Sequence, residues 1–299
     1  MEGLQILFTA PQYALQLLLD GLLVGALFAL IGYGMALVWG VMNIINLAQG
    51  EFVILGGYVA LLVFNAGFYP LWGVPVAALV LFVLGWLLYR LVIFRIVDRD
   101  LFTSLLATFG ISILLQQLMD QIFGADIQNV DAELGTTVLM HGDLLLANIK
   151  LISFVLSILA GGFLVVFLRR SRIGQAIRAT AQNAAAARIL GVDTDRIYAT
   201  TFSLNAAVCG AAGALVVMTW VIHPYIGLTY TVRSFMVVII AGLGNLAGVA
   251  LAGLGLGVAE NIAGFIFGAE FQSAFLFSLL VVILLWRNWR LRRKREVLR

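Results

Sequence analysis

Charge is scarce in this chain, and so are histidine, cysteine and proline. Of 299 residues only 11% are Asp, Glu, Lys or Arg, against about 25% in a soluble globular protein. A water-facing surface cannot be assembled from so few charges, so lipid is the expected solvent for most of the exterior. There are two histidines, His141 and His223, both expected outside, and one cysteine, Cys209. That inventory excludes a disulfide framework, a metal cluster and a His-based catalytic triad, and no cofactor is expected on this chain. No stretch reads GxxxxGK[ST], so a P-loop is excluded and ATP would have to be hydrolysed on another chain. No Lys or Arg precedes Arg90. A secretory signal begins with a basic n-region, so the first residues do not read as one.

What is present is apolar: 63% of the residues, with a mean hydropathy of +1.06. A hydrocarbon core of about 30 Å needs roughly 20 apolar residues per helix. Residues 71–94, 101–124, 151–168, 198–222 and 271–286 each supply one such segment. Two blocks are too long for single helices. Residues 13–68 carry only Asp20 and Glu51 as charges, and residues 234–268 would extend about 52 Å as one helix at ~1.5 Å per residue. Each holds a polar or Gly-rich interruption, Gly40–Glu51 (GVMNIINLAQGE) and Gly242–Gly248 (GLGNLAG), where the chain is expected to fold back.

Sixteen of the eighteen Lys and Arg fall in three places: Arg90, Arg95 and Arg99; residues 169–196; and the tail after Trp286. The positive-inside rule makes those three cytoplasmic. The 125–150 loop holds Asp126, Asp131, Glu133 and Asp143 against Lys150 and reads as external, as do residues 1–12. An outside N-terminus and an inside C-terminus require an odd number of crossings, which splitting both long blocks provides. The expected fold is an all-α polytopic membrane protein with about nine transmembrane segments, broken or half helices included. They are about 15–39, 51–68, 71–94, 101–124, 151–168, 198–222, 234–246, 247–267 and 271–286. Residues 1–299 form one transmembrane domain with an external loop (125–150), a cytoplasmic loop (169–197) and a basic cytoplasmic tail (287–299). No room remains for a separate catalytic domain.

Unwound backbone at membrane depth leaves N–H and C=O groups that protein or a water-filled cavity must satisfy. Interrupted apolar segments in corresponding positions of two halves are pointers to a transporter's pathway. The first break offers Asn43, Asn46, Gln49 and Glu51, whose amides suit a zwitterionic or amide-bearing solute. Two readings stay open there: contact with solute, or capping of the broken backbone, with Glu51 at a helix start where a carboxylate is favoured. In the second break Asn245 is the polar residue, while Gly248, Gly253 and Gly257 suit close helix packing. Glu260 follows as an intramembrane carboxylate, a functional candidate by its position. Asp20 and Asp120 read as interfacial and are given no role.

The loop RRSRIGQAIRATAQNAAAARILGVDTDRI (169–197) is expected to form a short Ala-rich helix stopped at Gly191. Such a helix fits a groove on a soluble partner. The other reading is a basic anchor on anionic lipid, which suits Arg169, Arg170 and Arg172.

Three ordered motifs carry a resemblance: NIINLAQGEFVILGGYVA (43–60), IGQAIRATAQNAAAARILGVDTDRI (173–197) and AGLGNLAGVALAGLGLGVAEN (241–261). Together they resemble the membrane-spanning permeases of high-affinity branched-chain amino acid ABC importers, and most closely the shorter of the two paired permeases. The resemblance runs from about Gln12 to Trp286. It implies a second, related permease, two cytoplasmic ABC ATPases and a periplasmic or lipid-anchored binding protein, all at a bacterial inner membrane. Lipid is the remaining partner, and no nucleic acid is expected. The resemblance places Gly174, Arg178, Ala179, Asn183, Ala187 and Gly191 in a coupling helix that docks in the ATPase. The family usually reads N-x-A-H-G-E with a later G-A-Y. Gln49 stands where His is usual and Gly57 where Ala is usual, so a protonation role at position 49 is not supported. The alternatives are a permease for urea or short-chain amides and, from other classes, an ion-coupled carrier, a passive channel or a purely structural membrane subunit. Carriers and channels need no partner-docking helix, and a structural subunit needs no amides at both breaks.

Overall fold

The computed structural model describes residues 11–97, 99–132, 134–139, 144–242, 244–268 and 271–296. Glu133, His141 and Asp143, residues 1–10 and the last three residues of the basic tail lie outside the described residues.

Long apolar runs leave the backbone one economical solution without water, which is to bond to itself as helix. The helices are α1 (Pro11–Met42), α2 (Gln49–Asn65), α3 (Gly73–Leu91), α4 (Leu101–Phe123), α5 (Asn148–Arg170), α6 (Arg172–Gln182), α7 (Ala184–Ile189), α8 (Thr194–Thr219), α9 (Gly227–Ala241), α10 (Leu246–Phe267) and α11 (Gln272–Glu296). Among the described residues, seven stretches are helical, long and apolar enough to cross a membrane: Gln12–Met42, Pro70–Arg95, Leu101–Phe123, Asn148–Arg170, Thr194–Thr219, Pro224–Ala241 and Leu246–Phe267. Gln49–Asn65 and Ala274–Trp286 are apolar but shorter. Polar residues mark the helix starts. Asp100 accepts from Thr103 N at 3.2 Å, Ser171 from Gly174 N at 2.8 Å and Asp193 from Arg196 N at 3.1 Å, each satisfying an orphan N–H. The Thr103 side-chain and backbone bonds hold the Asp100 carboxyl below its ordinary pKa.

The described residues are mostly helical, as an all-α membrane fold requires; the 125–150 loop adds one short hairpin, β1 (Thr136–Leu139) antiparallel to β2 (Leu144–Ala147), with Thr136 opposite Ala147. Two expectations need correction. The expected helix of the 169–197 loop is two helices. Asn183 takes an extended conformation, and its side chain accepts from Ala186 N at 3.0 Å, ending α6 and capping α7. The segment placed at 234–246 starts earlier, at a 3₁₀ turn over Pro224–Ile226, and ends at Ala241. Arg233 lies inside that helix, where the Glu260 carboxylate neutralises it.

Helix α8 is the most enclosed span, packed by α1, α2, α3 and α5. Small residues permit the contact: a Cβ on Gly213 would lie 1.8 Å from the Val53 carbonyl oxygen, and one on Gly56 would lie 2.5 Å from Gly210 Cα. Helices α1 and α10 meet the same way, with Gly21 and Gly25 against Gly257 and Gly253. This is how helices associate where apolar burial drives little. Gly248 takes no part, because its open face is filled by the Asn245 side chain.

Gly213→Ala forces backbone apart and should cost about 3 kcal/mol. In thermal unfolding of the detergent-solubilised protein it should melt well below the parent. Gly162→Ala has no atom within 4 Å of the new Cβ and should melt at or slightly above the parent temperature.

Candidate functional site

The first break starts at Asn43. Its N–H still bonds the Trp39 carbonyl at 3.1 Å, but its φ is +53°. Asn tolerates this left-handed conformation better than other residues with a Cβ, so it ends α1. The chain then turns back along α1. By Gln49 it is level with Ile31, whose carbonyl accepts from Gln49 Nε2 at 3.0 Å. The unwound segment thus runs inside the bundle, and its polar groups need partners.

Two threonines supply most of them. Thr108 of α4 accepts from Leu47 N at 3.2 Å and donates to the Ile45 carbonyl at 2.9 Å. Thr231 of α9 accepts from Gly50 N at 2.8 Å and donates to the Leu47 carbonyl at 3.1 Å. Asn46 accepts from Ala48 N at 3.2 Å and donates to Gln49 Oε1 at 3.3 Å. Gln49 Nε2 also donates to Cys209 Sγ at 3.0 Å. Asn46, Gln49 and Glu51 are buried and Asn43 is exposed. The Glu51 carboxylate accepts from Ser112 Oγ at 3.2 Å and packs against Gly227, whose added Cβ would lie 2.5 Å from it. Glu51 therefore ties α2 to the first turn of α9.

The second break holds Asn245 apart from this cluster. Asn245 is exposed, accepts from Gly248 N at 3.0 Å and donates to the Ala241 carbonyl at 3.4 Å, so it caps α10 and holds the turn from α9.

Glu260 lies elsewhere again, in the wall of an open cavity of about 350 Å³ lined by α1, α5, α9, α10 and α11. Two ion pairs line it. Arg233 Nε is 3.1 Å from both Glu260 carboxylate oxygens, and Arg233 Nη2 also bonds Oε1. Lys150 Nζ bonds Asp20 Oδ1 at 2.9 Å. The Arg233 guanidinium is 4.9 Å from the Phe28 ring centre and 5.5 Å from that of Tyr230, within cation–π range. Gln272 donates to the Glu260 carbonyl at 3.3 Å and Asn261 to the Leu17 carbonyl at 2.8 Å. The cavity lies at the end of the bundle opposite the Arg-rich segments. Lys150 opens the helix that Arg169 and Arg170 close, and Trp220 follows the helix that Arg196 helps to open. Helix α9 joins the two regions: Gly227 and Thr231 face the break, while Tyr230 and Arg233 face the cavity.

The structure therefore brings Asn46, Gln49 and Glu51 together, leaves Asn43 at their edge and separates Asn245 and Glu260 from them. Sequence reasoning missed Thr108, Ser112 and Thr231, which carry no signal beyond a hydroxyl in an apolar helix. It also missed Arg233, Lys150 and Asp20 as cavity residues. Arg233 was detectable as one of only two basic residues outside the three Arg-rich clusters.

Of the expected coupling residues, Gly174 and Ala187 are buried, while Arg178, Ala179, Asn183 and Gly191 are exposed. Gly191 has a φ of +86°. Next to it Ile189 and Leu190 are 86% and 83% exposed and form an apolar tip.

Among the described residues, no three His, Cys, Asp or Glu side chains are grouped to hold a metal ion. Seven helices among the described residues, long and apolar enough to cross a membrane and packed around an unwound segment, define a multi-pass membrane protein. The chain belongs to the family described as branched-chain amino acid transport system permease components, whose model matches residues 17–284. It is 31% identical over 287 residues to the high-affinity branched-chain amino acid transport system permease protein LivH of Escherichia coli K12, covering 91% of this chain and 93% of that one. It is 31% identical over 288 residues to the corresponding permease protein BraD of Pseudomonas aeruginosa, covering 91% and 94%. A probable branched-chain amino acid transport permease of Methanocaldococcus jannaschii is 26% identical over 273 residues, covering 87% and 85%. No solved structure matches the chain.

Thr231→Val removes the acceptor of Gly50 N and the donor to Leu47 O while keeping the shape. Leaving buried backbone unpaired costs about 1–3 kcal/mol per group. The variant should melt at lower temperature than the parent, and Thr231→Ser, which restores the hydroxyl, should recover most of the loss.

Proposed function

We propose that this chain is one permease of an ATP-binding cassette importer that moves branched-chain or other hydrophobic amino acids across the bacterial inner membrane. The observation that carries the reading is similarity along almost the whole chain to permeases named for branched-chain amino acid transport. In this reading a second, related permease completes the pathway, two cytoplasmic ATPases hydrolyse ATP, and a periplasmic or lipid-anchored protein delivers the solute. The nine apolar helices α1–α5 and α8–α11 cross or enter the bilayer, with the N-terminus outside and the Arg-rich ends in the cytoplasm.

Helices α6 and α7 are the coupling element. Their exposed residues Arg178, Ala179, Asn183 and Gly191, with the Ile189–Leu190 tip, suit the groove of a soluble ATPase. Gly174 and Ala187 seat the pair against the bundle. ATP-driven closure would push this element and rock the halves about the break at Asn43–Glu51 and the turn at Asn245. The buried amides Asn46 and Gln49 let the break exchange partners without stranding a polar group.

In the assembled importer, Arg178→Glu or Gly191→Glu should lower ATP-driven leucine uptake at least about tenfold while the complex still assembles. Uptake at the parental rate in both variants would exclude the coupling role. Competition of labelled leucine uptake by unlabelled leucine, urea and short-chain amides tests the substrate. Saturable leucine uptake that urea and amides do not inhibit is expected, and no saturable leucine uptake, or uptake that urea or amides suppress, would overturn the assignment.

A further inference from the structure

The cavity between α1, α5, α9, α10 and α11 has a chemistry that the break lacks. Its charges are two cations and two carboxylates in two separate pairs, Arg233–Glu260 and Lys150–Asp20. Glu260 and Arg233 have side chains only 5% and 16% exposed, and Asp20 and Lys150 are partly buried at 20% and 29%. Charged pairs in such surroundings lose hydration, and well-packed apolar side chains would often hold helices together as firmly. Ionisable residues kept inside a membrane bundle mark solute paths more often than packing.

The pairs also leave bonding capacity free. A guanidinium carries five N–H donors and an ammonium three. Arg233 directs Nε and Nη2 to Glu260, which leaves Nη1, and Lys150 directs one donor to Asp20. Phe28, Val24 and Ile226 supply an apolar wall beside these groups.

The class of guest follows from charge balance. A simple anion inserted at Arg233 would meet Glu260 and Asp20, and a simple cation would meet Arg233 and Lys150. In either case one buried charge is left opposed, which is strongly unfavourable. A neutral amide gains nothing from the separated charges. A guest carrying one positive and one negative group can set each beside the opposite charges of the two pairs and leave none of them opposed. We propose that this cavity is a binding site for the zwitterion of an aliphatic α-amino acid. The carboxylate lies on Arg233 and Lys150, the ammonium on Glu260 and Asp20, and the side chain against Phe28 and Val24. The cavity lies at the end away from the ATPase-facing loop, so it receives the solute before the break is reached. The inference rests on the amino-acid permease reading and adds a site of selection within this chain.

The test uses the assembled importer in lipid nanodiscs without its binding protein, and measures equilibrium binding of labelled leucine. Unlabelled 4-methylpentanoate, which lacks the ammonium, and 3-methylbutylamine, which lacks the carboxylate, are the competitors. Both should compete at least about 30-fold more weakly than leucine, the loss that a stranded buried charge produces. Arg233→Met combined with Glu260→Leu removes both charges and keeps an apolar filling. It should abolish leucine binding and raise the KM for uptake while the complex still assembles. Equal competition by either analogue, no leucine binding to the parent complex, or unchanged KM in the double variant would overturn the site and leave the pair a helix staple. If the double variant does not assemble, the analogue comparison on the parent decides alone. Parental uptake of leucine is measured in parallel. Its absence would sink the amino-acid reading itself, whereas its presence with unchanged double-variant KM would sink only this site.

Discussion

The fold depends on satisfying the unwound backbone between α1 and α2. A segment that turns back inside a bundle cannot borrow hydrogen bonds from water, and each unmet group costs several kcal/mol in hydrocarbon. Thr108 and Thr231 solve the problem with one hydroxyl each, acting as donor and acceptor at once. Because they come from α4 and α9, the break fixes where those helices sit. Gly50 and Gly227 let α2 and α9 come close enough for the bond, since a Cβ on Gly50 would lie 1.7 Å from the Gly227 carbonyl oxygen.

Helix α9 carries two obligations for that reason. Its Thr231 face holds the break and its Arg233 face lines the cavity with Glu260. A rotation of α9 about its axis would disturb both at once, so the two sites are mechanically linked without a long relay. Glu51 adds a third contact against the first turn of the same helix. The hydroxyl bonds at the break can be exchanged one at a time. That suits a protein whose helices must shift past one another.

Much of this was legible in the sequence, and the rest was hidden for definite reasons. Apolar run length located the helices, because hydrocarbon thickness sets their length. The interruptions announced themselves as amides and glycines where leucine would be expected. What periodicity could not reveal was partnership across long separations. Arg233 and its neutraliser, Glu260, are 27 residues apart, so nothing local in the sequence pairs them. Lys150 and Asp20, 130 residues apart, gave no sign of meeting. The 169–197 loop was legible in composition but not in division, since Asn183 is as good an N-cap as a helix surface residue. The hairpin of the 125–150 loop was missed because its strands are four residues each, too short to show alternation.

The two polar regions differ in a way that separates support from selection. At the break, Asn46 and Gln49 face backbone and each other, so their bonding capacity is directed inward. At the cavity, Arg233 and Lys150 keep donors that their carboxylate partners do not use. Neutral amides suit the first task because they can exchange bonds among similar groups with little change in energy. Paired charges suit the second because they penalise any guest that does not carry both signs. A permease fed by a binding protein needs no selectivity of its own to move solute. Keeping two ion pairs in one cavity is the kind of cost that selection within the chain would explain and helix packing alone would not.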